Sequence, residues 1–440
     1  MILLVAAALI IGGPMAYRMY KKYGLGEVPL DGNQEAVPEA LVNPPALNYG
    51  TTDWTCWRGP ALDGKSVAKD IKKDWSGGLK KLWEVGYLCQ GEESVAWSGP
   101  AIQGNRLVVT GRAGTLDQVF CIHAETGELI WMTEYEAPTD GKFGTGPRAT
   151  PYIDSDRVYT YGRAGDLACW KLFDGTLLWK KNVMDEGGKL PEWGFASSPL
   201  VLDNKVFVQG GGDARLIAFD KLTGEVIWRS PGGESGYATA MPIKMGEKTH
   251  LLHFHGTGLA LVDTLRGAIL WDTPWETEYA VNAATPIVKG DTVFITSGYG
   301  MGSQCLKVSE SGVEVIWQSK VIASQLADLV LLDGYLYGYT ANANNSGPFK
   351  CVKFKTGEEI WSTKKIGGGS LIFADGHLVC FDVKGGLHLL KANPEQFEKT
   401  GELNNAIEGV RQESWTPPAL ANGRLYLRYM QKLVCYDLAP

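Results

Sequence analysis

The sequence has no long block of like charge. Its 42 Lys and Arg residues stand against 49 Asp and Glu residues, and the formal net charge of −7 is spread along the chain without runs. Recognition of the nucleic-acid backbone needs a concentrated basic face, so we expect no nucleic-acid partner. There is also no C-x-x-C-H segment for haem attachment. The Gly-Gly-Gly stretches at 210–212 and 367–369 lack the Lys-Ser/Thr pair and following helix of a phosphate loop.

Glycine and tryptophan, by contrast, are abundant, with 55 Gly and 15 Trp, while long helical patterns are few. This composition indicates short strands joined by tight turns. Charged residues make up 21% and hydrophobic residues 45%, which is typical of a globular chain. Because 440 residues exceed one compact core of about 100–200 residues, we expect several domains or a repeat architecture.

The N-terminal segment differs from the rest of the chain. Residues 2–17, ILLVAAALIIGGPMAY, are uncharged and mostly apolar, and Arg18, Lys21 and Lys22 follow them. A helix of this length spans about 24 Å, close to a hydrocarbon core of about 30 Å. We predict that residues 1–23 form a membrane anchor that contacts the bilayer through residues 2–17, with a cleaved signal peptide as the alternative. Residues 24–53 contain four Pro and no periodicity, which predicts a linker.

One phrase recurs through the remaining residues, 54–440. It links a turn glycine to a large aromatic four residues later, most cleanly as AFDKLTGEVIW at residues 218–228. The aromatic that ends each copy is predicted to dock one structural unit on the next. These eight residues are Trp83, Trp131, Trp179, Trp228, Trp271, Trp317, Trp361 and Phe397.

Each copy contains four short alternating segments separated by turn pairs such as Gly-Asn, Asp-Gly and Thr-Gly. Such pairs supply the positive φ of tight hairpins. Four antiparallel strands repeated about every 45 residues describe the blade of a β-propeller. After residue 397 the chain has only three strands left, and LKKLWEVG at residues 79–86 supplies the missing fourth. The predicted fold is therefore an all-β, eight-bladed propeller closed by its N-terminal strand.

The pattern x-x-D-x-x-T-G-x-x-x-W resembles the tryptophan-docking repeat of the pyrroloquinoline quinone (PQQ) propeller family, over residues 79–440. The segment WRGPALDGKS at residues 57–66 is similar to an entry segment of bacterial members of that family. The fold hosts both dehydrogenases and non-enzymatic scaffolds. The resemblance implies, for a dehydrogenase, an adjacent Cys-Cys pair over PQQ and a Glu, Asn and Asp set for Ca²⁺.

This chain has no Cys-Cys dipeptide, and no calcium-ligand set can be mapped onto it. We therefore expect no catalytic residue and no cofactor, with PQQ and Ca²⁺ only under the alternative of a quinoprotein-like oxidoreductase. The resemblance favours the scaffold branch, such as propeller lipoproteins of outer-membrane assembly, although a lipid-attachment Cys is missing. It implies a periplasmic propeller, whereas basic residues after the span favour the cytoplasm by the positive-inside rule; we expect the periplasm.

Cysteine and histidine give weaker signals. Cys121, Cys169, Cys351 and Cys435 hold a repeat position that carries Ala218 or Leu261 in other copies, which predicts a small buried residue. A Cys56–Cys89 disulfide remains open. His253 and His255 share one strand face, but no pattern supplies further metal ligands, so we predict no metal site.

The segments that enter each first strand should surround one mouth of the central channel. They contribute the predicted ligand- or partner-binding residues, which are Trp97, Arg148, Trp193, Tyr237, Tyr279, Asn282, Gln325, Asp328, Glu413 and Trp415. Aromatic walls with a few polar groups suit a small ligand or a protein segment. Arg148 and Asp328 lie four units apart and should face each other across the channel. The alternative is that these residues only fill the channel and satisfy one another.

Overall fold

The computed structural model describes residues 34–91, 93–139, 143–340, 347–410 and 414–440. The predicted anchor, residues 2–17, and the first part of the predicted linker lie outside these ranges. Within them, we find no helix that combines the length and the apolar character required to cross a bilayer.

The described residues form eight sheets, which we call blades 1–8 and which are antiparallel except for one strand pair in blade 1. The strands of blades 1–4 are β2 (Cys89–Gln90), β3 (Ala101–Gln103), β4 (Arg106–Ala113), β5 (Leu116–His123) and β6 (Leu129–Glu136); β7 (Tyr152–Asp154), β8 (Arg157–Tyr161), β9 (Asp166–Lys171) and β10 (Leu177–Asn182); β11 (Leu200–Leu202), β12 (Lys205–Gln209), β13 (Ala214–Asp220) and β14 (Val226–Pro231); and β15 (Met241–Met245), β16 (Lys248–His255), β17 (Gly258–Asp263) and β18 (Ile269–Pro274). Blade 1 has five strands because β2 pairs in parallel with β4.

Blades 5–8 repeat the four-stranded plan. Their strands are β19 (Ile287–Lys289), β20 (Thr292–Ser297), β21 (Gly302–Ser309) and β22 (Gly312–Ser319); β23 (Val330–Leu332), β24 (Tyr335–Tyr339), β25 (Phe349–Lys353) and β26 (Glu359–Thr363); β27 (Gly369–Ala374), β28 (His377–Asp382), β29 (Leu387–Lys391) and β30 (Lys399–Leu403); and β31 (Ala419–Ala421), β32 (Arg424–Tyr429), β33 (Lys432–Asp437) and β1 (Lys81–Val85). Two short 3₁₀ turns, Val183–Glu186 and Glu278–Ala280, lie between blades.

Blade 8 joins the two ends of the chain. Strand β1 pairs antiparallel with β33, and Trp83 lies opposite Cys435. This pairing leaves the ring without a break, since the first strand of the domain completes the last sheet. The predicted eight-bladed propeller and its closure by residues 79–86 are confirmed.

The antiparallel order of the strands gives the ring two faces. The hairpin turns between first and second strands and between third and fourth strands lie on one face, which we call the turn face. The segments that lead into each first strand, together with the loops between second and third strands, lie on the other, the entry face. The first strands line the axis, as in any propeller.

A tryptophan of the repeat closes seven of the eight seams between blades. In each seam the indole Nε1 donates to a backbone carbonyl in the third-to-fourth-strand connection of the next blade, at 2.7–3.2 Å. In five seams the ring also lies on the turn glycine of the next blade, where a Cβ would come within 3 Å of the indole. These glycines are Gly127, Gly175, Gly224, Gly267 and Gly357, and all have positive φ.

A cysteine or an alanine on the third strand lies opposite six of the seven repeat tryptophans, and Leu261 lies opposite Trp271. Cys121, Cys169 and Cys351 pair with Trp131, Trp179 and Trp361. Cys305 and Cys435 hold the same place in blades 5 and 8. All eight cysteines are buried and unbonded, including Cys56 and Cys89. Burial raises the pKa of the Cys56 thiol to about 12, so this thiol is inert at neutral pH.

The seam between blades 7 and 8 is closed by a residue outside the repeat. In the register of β29 and β30, Gly401 holds the place of the docking tryptophan, opposite Leu389. The indole of Trp75 lies over Gly401, and its Nε1 donates to Lys72 O at 2.8 Å. Phe397, predicted for this role, instead lies in the preceding turn and packs edge-on against Trp361 at 5.9 Å. The repeat pattern does not indicate this role, because Trp75 precedes the first repeat.

The axis of the ring is filled by residues 54–68. The backbone of Trp54 pairs with Ile102 of blade 1, and Thr55 O accepts from Ile153 N of blade 2. Trp57 Nε1 donates to Thr285 Oγ1, in the segment that leads into blade 5. Ser66 N donates to Phe373 O of blade 7. Because first strands line the axis, a segment that touches so many of them must lie along it. The WRGPALDGKS segment thus closes the channel below the entry face.

Residues 34–53, part of the predicted linker, lie against blades 8 and 1. The carboxylate of Glu35 accepts from Gly86 N at 2.9 Å, and Leu41 N donates to Leu129 O at the start of β6. The buried Arg106 donates to Pro45 O at 2.7 Å. These contacts hold the described part of the segment on the propeller up to the point where the chain enters the axis.

Candidate functional site

Nine of the ten residues predicted for the mouth lie in the described ranges, and all nine are on the entry face or just below it. Glu413 lies outside the described residues. The nine divide into three groups: polar residues held by the protein itself, an aromatic pair at blades 8 and 1, and an aromatic cluster at blades 2–5.

Arg148 and Asp328, which were expected to face each other across the channel, each bind other groups of the protein. Asp328 forms an ion pair with Arg58 of the axial segment at 3.0 Å, and both side chains are buried. Its other oxygen accepts from Thr285 N at 2.6 Å. Arg148 Nη2 donates to the carbonyls of Phe143 and Gly144. Burial, and then the nearby Arg163, lowers the pKa of Arg148 to about 9. The prediction did not anticipate Arg58, because its segment was not placed in the channel.

Asn282 serves as a brace inside the entry loops. Its amide donates to His255 O at 2.8 Å and Trp275 O at 3.0 Å, and its oxygen accepts from Ser297 Oγ at 2.7 Å. The side chain is fully buried. It therefore orders the loops between blades 4 and 5 and does not face a ligand.

Trp97 and Trp415 form the aromatic pair. Their ring centroids are 4.5 Å apart, and Tyr429 approaches Trp97 edge-on at 6.5 Å. Trp97 Nε1 donates to Phe143 O at 3.2 Å, which links this pair to the loop that enters blade 2. Trp97 is buried, so the pair acts mainly as packing beneath the entry face.

The aromatic cluster consists of Phe143, Trp193, Tyr279 and Tyr299. Successive rings meet at steep angles, with centroid distances of 5.1, 6.2 and 6.0 Å. Edge-to-face contact at such distances stabilises each pair by about 0.5–1.5 kcal/mol. Tyr279 is 39% exposed, and Trp193 and Tyr299 are half-buried. The cluster thus presents a preformed aromatic surface to solvent.

Two predicted polar residues support this cluster. The hydroxyl of Tyr237 accepts from Trp193 N at 3.4 Å, and burial raises the pKa of Tyr237 to about 12. Gln325 Nε2 donates to the hydroxyl of Tyr299 at 3.1 Å. Both contacts fix the orientation of neighbouring aromatic groups.

Phe143 and Tyr299 were not among the predicted residues. Phe143 precedes the GTGPRATP segment by one position, and Tyr299 lies in the loop between β20 and β21. Loops between second and third strands share the entry face with the segments that lead into the first strands. The sequence signal for Tyr299 is therefore the aromatic residue in SGYGMG at residues 297–302.

The aromatic cluster carries unusual backbone geometry. Phe143, Tyr279 and Tyr299 have φ of 63°, 61° and 53°. Left-handed conformations are outliers for bulky side chains and cost about 1–3 kcal/mol each. No other aromatic residue in the described ranges has positive φ. Among the aromatic residues of the described ranges, left-handed backbone is therefore confined to this one surface cluster.

The axial donors do not fit a PQQ and calcium site. Asp328 is neutralised by Arg58, and the amide of Asn282 is committed to backbone carbonyls. No group of three or more His, Cys, Asp or Glu in the described part of the chain is arranged to hold a metal ion. His253 and His255 lie inside the seam between blades 3 and 4, where Asp272 accepts from His255 and pairs with Arg215.

The fold resembles solved propellers of two kinds. BamB from Moraxella catarrhalis superimposes with a TM-score of 0.57 at 16% identity, covering 82% of this chain and 99% of that one. The quinohaemoprotein alcohol dehydrogenase from Comamonas testosteroni gives 0.62 at 13% identity, covering 88% and 81%. At such identities the likeness shows the fold alone.

Sequence comparison is more specific. Outer membrane protein assembly factor BamB from Burkholderia pseudomallei is 23% identical over 216 residues, which is 46% of this chain and 50% of the relative. The factor from Kangiella koreensis is 22% identical over 217 residues, 46% and 48%. The chain thus spans about half the length of the curated relatives it matches. A family model described as outer membrane protein assembly factor BamB matches residues 137–363, just over half of the chain. The chain therefore belongs to this BamB-type family of PQQ-repeat propellers.

Proposed function

We propose that this protein is a non-catalytic scaffold, anchored in a membrane through residues 2–17, whose propeller binds a protein segment on the aromatic cluster of the entry face. The observation that carries the proposal is the concentration of left-handed aromatic residues in that cluster. Three of its four rings, on Phe143, Tyr279 and Tyr299, stand on positive-φ backbone. Folding alone does not require such strain, since glycine would avoid it. Backbone strain of this kind clusters at binding sites.

The closed axis supports the same proposal. Residues 54–68 fill the channel, so a partner meets a continuous surface and not an open pore. A shallow aromatic surface of half-buried rings is the kind of surface on which aromatic hot spots of protein interfaces occur. The relatives' name, outer membrane protein assembly factor, describes proteins that act with other proteins. We extend a role of this class to the present chain.

We propose a periplasmic location for the propeller. The basis is the name of the relatives, which refers to the outer membrane. Arg18, Lys21 and Lys22 follow the apolar segment and favour the opposite orientation. Protease digestion of intact spheroplasts decides between them. Digestion of the propeller from outside supports the periplasm, and protection until lysis overturns it.

Site-specific photocrosslinking tests the binding surface. A photoreactive amino acid at Tyr279 of the full-length protein in native membranes should give a discrete crosslinked product. A matched control at Phe173, a half-exposed aromatic on the turn face, should not give the same product. Trp193→Ala, introduced with the probe at Tyr279, should reduce the yield at least fivefold. Equal products at both positions would overturn the proposal.

A second candidate, a quinoprotein-like oxidoreductase, is favoured by the likeness to quinohaemoprotein alcohol dehydrogenase. Its test is direct. Purified protein is mixed with PQQ and Ca²⁺, and cofactor absorbance and dye reduction with alcohols are followed. Saturable binding together with dye reduction would replace the scaffold proposal, whereas absence of both supports it.

A further inference from the structure

Residues 36–48, which we call the strap, cross the outer edge of blade 1 near the turn face. Leu41 N donates to Leu129 O at 2.8 Å, at the start of the outer strand β6. Leu41 and Leu47 pack against the hydrophobic cluster that contains Ile130. Ile130 is 3% exposed. The strap therefore shows how the start of an outer strand binds an extended apolar segment.

Two neighbouring polar residues of blade 1 complete this docking site. Asn105 Nδ2 donates to Ala46 O at 2.9 Å. Arg106 Nη2 donates to Pro45 O at 2.7 Å. Arg106 also donates to Asn105 Oδ1 at 2.9 Å, which leaves the amide nitrogen to face the strap. Such donors suit a proline-containing segment, because an extended chain of this kind has no internal backbone hydrogen bonds and its carbonyls are free to accept.

The repeat places a second copy of these polar groups on blade 3. Asn204 and Lys205 hold the positions of Asn105 and Arg106, in the turn between first and second strands. Lys205 Nζ donates to Asn204 Oδ1 at 3.1 Å, which is the contact that Arg106 makes with Asn105. All eight turns of this kind lie in the described ranges, and only those of blades 1 and 3 carry Asn followed directly by Lys or Arg.

The apolar part of the site recurs on blade 3 as well. Ile227 holds the position of Ile130, directly before the docking tryptophan. Ile227 is 40% exposed, and Asn204 is exposed where Asn105 is buried. Leu222, in the next hairpin turn of the same blade, adds further exposed apolar surface. In the part of the chain that the structure describes, no segment covers this second copy, which we call the blade 3 docking site.

One position differs between the two copies and fixes how far the likeness extends. At Gly104 of blade 1, an added Cβ would collide with Asn48 O, so the strap passes there against bare backbone. Blade 3 has Asp203 at this position, with the same φ of 54°. A segment on blade 3 can therefore follow the path of residues 41–46, but it must turn away before the place that Asn48 takes on blade 1.

We infer that the blade 3 docking site binds an extended, proline-containing segment of a partner protein. An apolar side chain of that segment packs on Ile227, and two successive backbone carbonyls accept from Asn204 and Lys205. The segment comes from another protein, because the strap of this chain is engaged on blade 1 and Asp203 excludes its Asn48. The site lies at the turn face, so the inference is independent of the proposed binding on the entry face.

A peptide with the strap sequence tests the site. The probe is the fluorescently labelled peptide AVPEALVNPPAL, residues 36–47, and its binding to the full-length protein in detergent is measured by anisotropy. We expect saturable binding with a dissociation constant below about 1 mM. A scrambled peptide of the same composition should bind at least about fivefold more weakly. Absence of saturable binding, or equal binding of the two peptides, would overturn the inference.

Two variants at one repeat position localise the peptide. Ile227→Asp places a carboxylate on the apolar surface and should weaken binding at least about tenfold. Leu270→Asp on blade 4 is the matched control, because Leu270 is 39% exposed but Glu247 stands where blade 3 has Asn204. Its affinity should stay within a factor of about 1.5 of the native value. Equal losses would show general attraction to apolar side chains. No loss in either variant would place the peptide on blade 1. Both results would overturn the inference.

Two further variants test the polar contacts and the path of the segment. Asn204→Asp removes the amide donor with little change in shape and should weaken the peptide at least about threefold. Asp203→Gly should bind a longer peptide, residues 36–49, at least about threefold more tightly than the native protein does, because the place of Asn48 becomes accessible. The shorter peptide should not distinguish these two proteins. Unchanged binding in Asn204→Asp, or no gain with the longer peptide, would show that the segment does not lie as the strap does on blade 1, and the inference would fall.

The oligomeric state distinguishes a partner protein from a second copy of this chain. Light scattering after size-exclusion chromatography gives the mass of the protein in its detergent complex. A single chain supports a segment from another protein. A dimer that dissociates in Ile227→Asp would assign the blade 3 docking site to the strap of a second copy and would overturn the inference.

Discussion

The seams between blades and the entry-face cluster use aromatic rings in opposite ways. In the seams, the ring belongs to a regular strand and the positive φ belongs to a glycine in the next blade, as for Trp179 on Gly224. On the entry face, the residues that carry the rings take the positive φ themselves, as at Tyr279 and Tyr299. The first arrangement avoids strain, and the second accepts it.

This difference in backbone geometry indicates that the seam rings serve stability, whereas the entry-face rings serve binding. A docking tryptophan such as Trp179 is buried, donates one hydrogen bond across the seam and has no strained backbone, so nearly all of its contact energy stabilises the propeller. The entry-face rings remain partly exposed on strained backbone, so their net contribution to folding is small. We therefore expect substitutions in the two regions to differ in size, and in one case in sign.

The largest expected effect is at a seam. Trp179→Ala removes a buried indole and its bond to Lys221 O, and should lower the free energy of unfolding by about 3–5 kcal/mol. Trp193→Ala, in the entry-face cluster, should cost no more than about 2 kcal/mol. Urea unfolding followed by circular dichroism measures both. Equal losses of unfolding free energy in the two variants would show that the seams and the entry-face cluster do not differ in their contribution to stability.

The next effect isolates the contact between a docking ring and a turn glycine. At Gly224 an added Cβ would lie 2.6 Å from Trp179, whereas at Gly376 it would meet nothing within 4 Å. Their φ values, 73° and 76°, are nearly equal. Gly376→Ala should therefore cost only the left-handed penalty of about 1–2 kcal/mol. Gly224→Ala should cost about 1–3 kcal/mol more, because the indole must move. Equal losses of stability in the two variants would show that the indole of Trp179 moves aside without cost.

The repeat makes the propeller predictable from the sequence. Features formed by residues outside the repeat are not predictable in this way. Blade count, closure by Trp83 and most docking residues follow from a pattern that recurs about every 45 residues. Trp75 and Arg58 could not be found this way, since both precede the first repeat and contact residues some 270–330 positions away. Most mouth residues were located by their place in the loops. Their side-chain roles depend on irregular backbone, as at Tyr279, that no periodicity encodes.

Acid should weaken a seam that contains histidine. Burial, and then Arg215, lowers the pKa of His255 against the opposing effect of Asp272, and burial lowers the pKa of His253 well below its usual value. A base whose folded pKa is lowered binds fewer protons when folded. The stabilisation that the neutral histidine gives to the folded protein is therefore complete above about pH 6.5, and it is lost as the pH falls below that value. His253→Leu should reduce the slope between pH 6.5 and 5.5 by up to about 1.4 kcal/mol per pH unit.

Urea unfolding at a series of pH values measures this slope, and the half-buried His377 on the turn face offers a control. His377→Gln should leave most of the slope in place. If His253→Leu and the native protein lose stability in parallel, the buried histidines of the seam are not the cause of the acid sensitivity.

The smallest expected effect is a reversal of sign at Tyr279. Tyr279→Ala removes the ring but keeps a side chain on backbone at φ 61°, whereas Tyr279→Gly removes both ring and strain. The Gly variant should therefore be more stable than the Ala variant by about 1 kcal/mol. At Tyr335, in strand β24, the order should be the usual one, with Gly less stable than Ala by about 0.5–1 kcal/mol. Both Tyr279 variants should lose partner binding alike, because both lack the ring. A Gly variant less stable than the Ala variant at Tyr279 would mean that the left-handed backbone carries no strain, and the entry face would then differ from the seams in exposure alone.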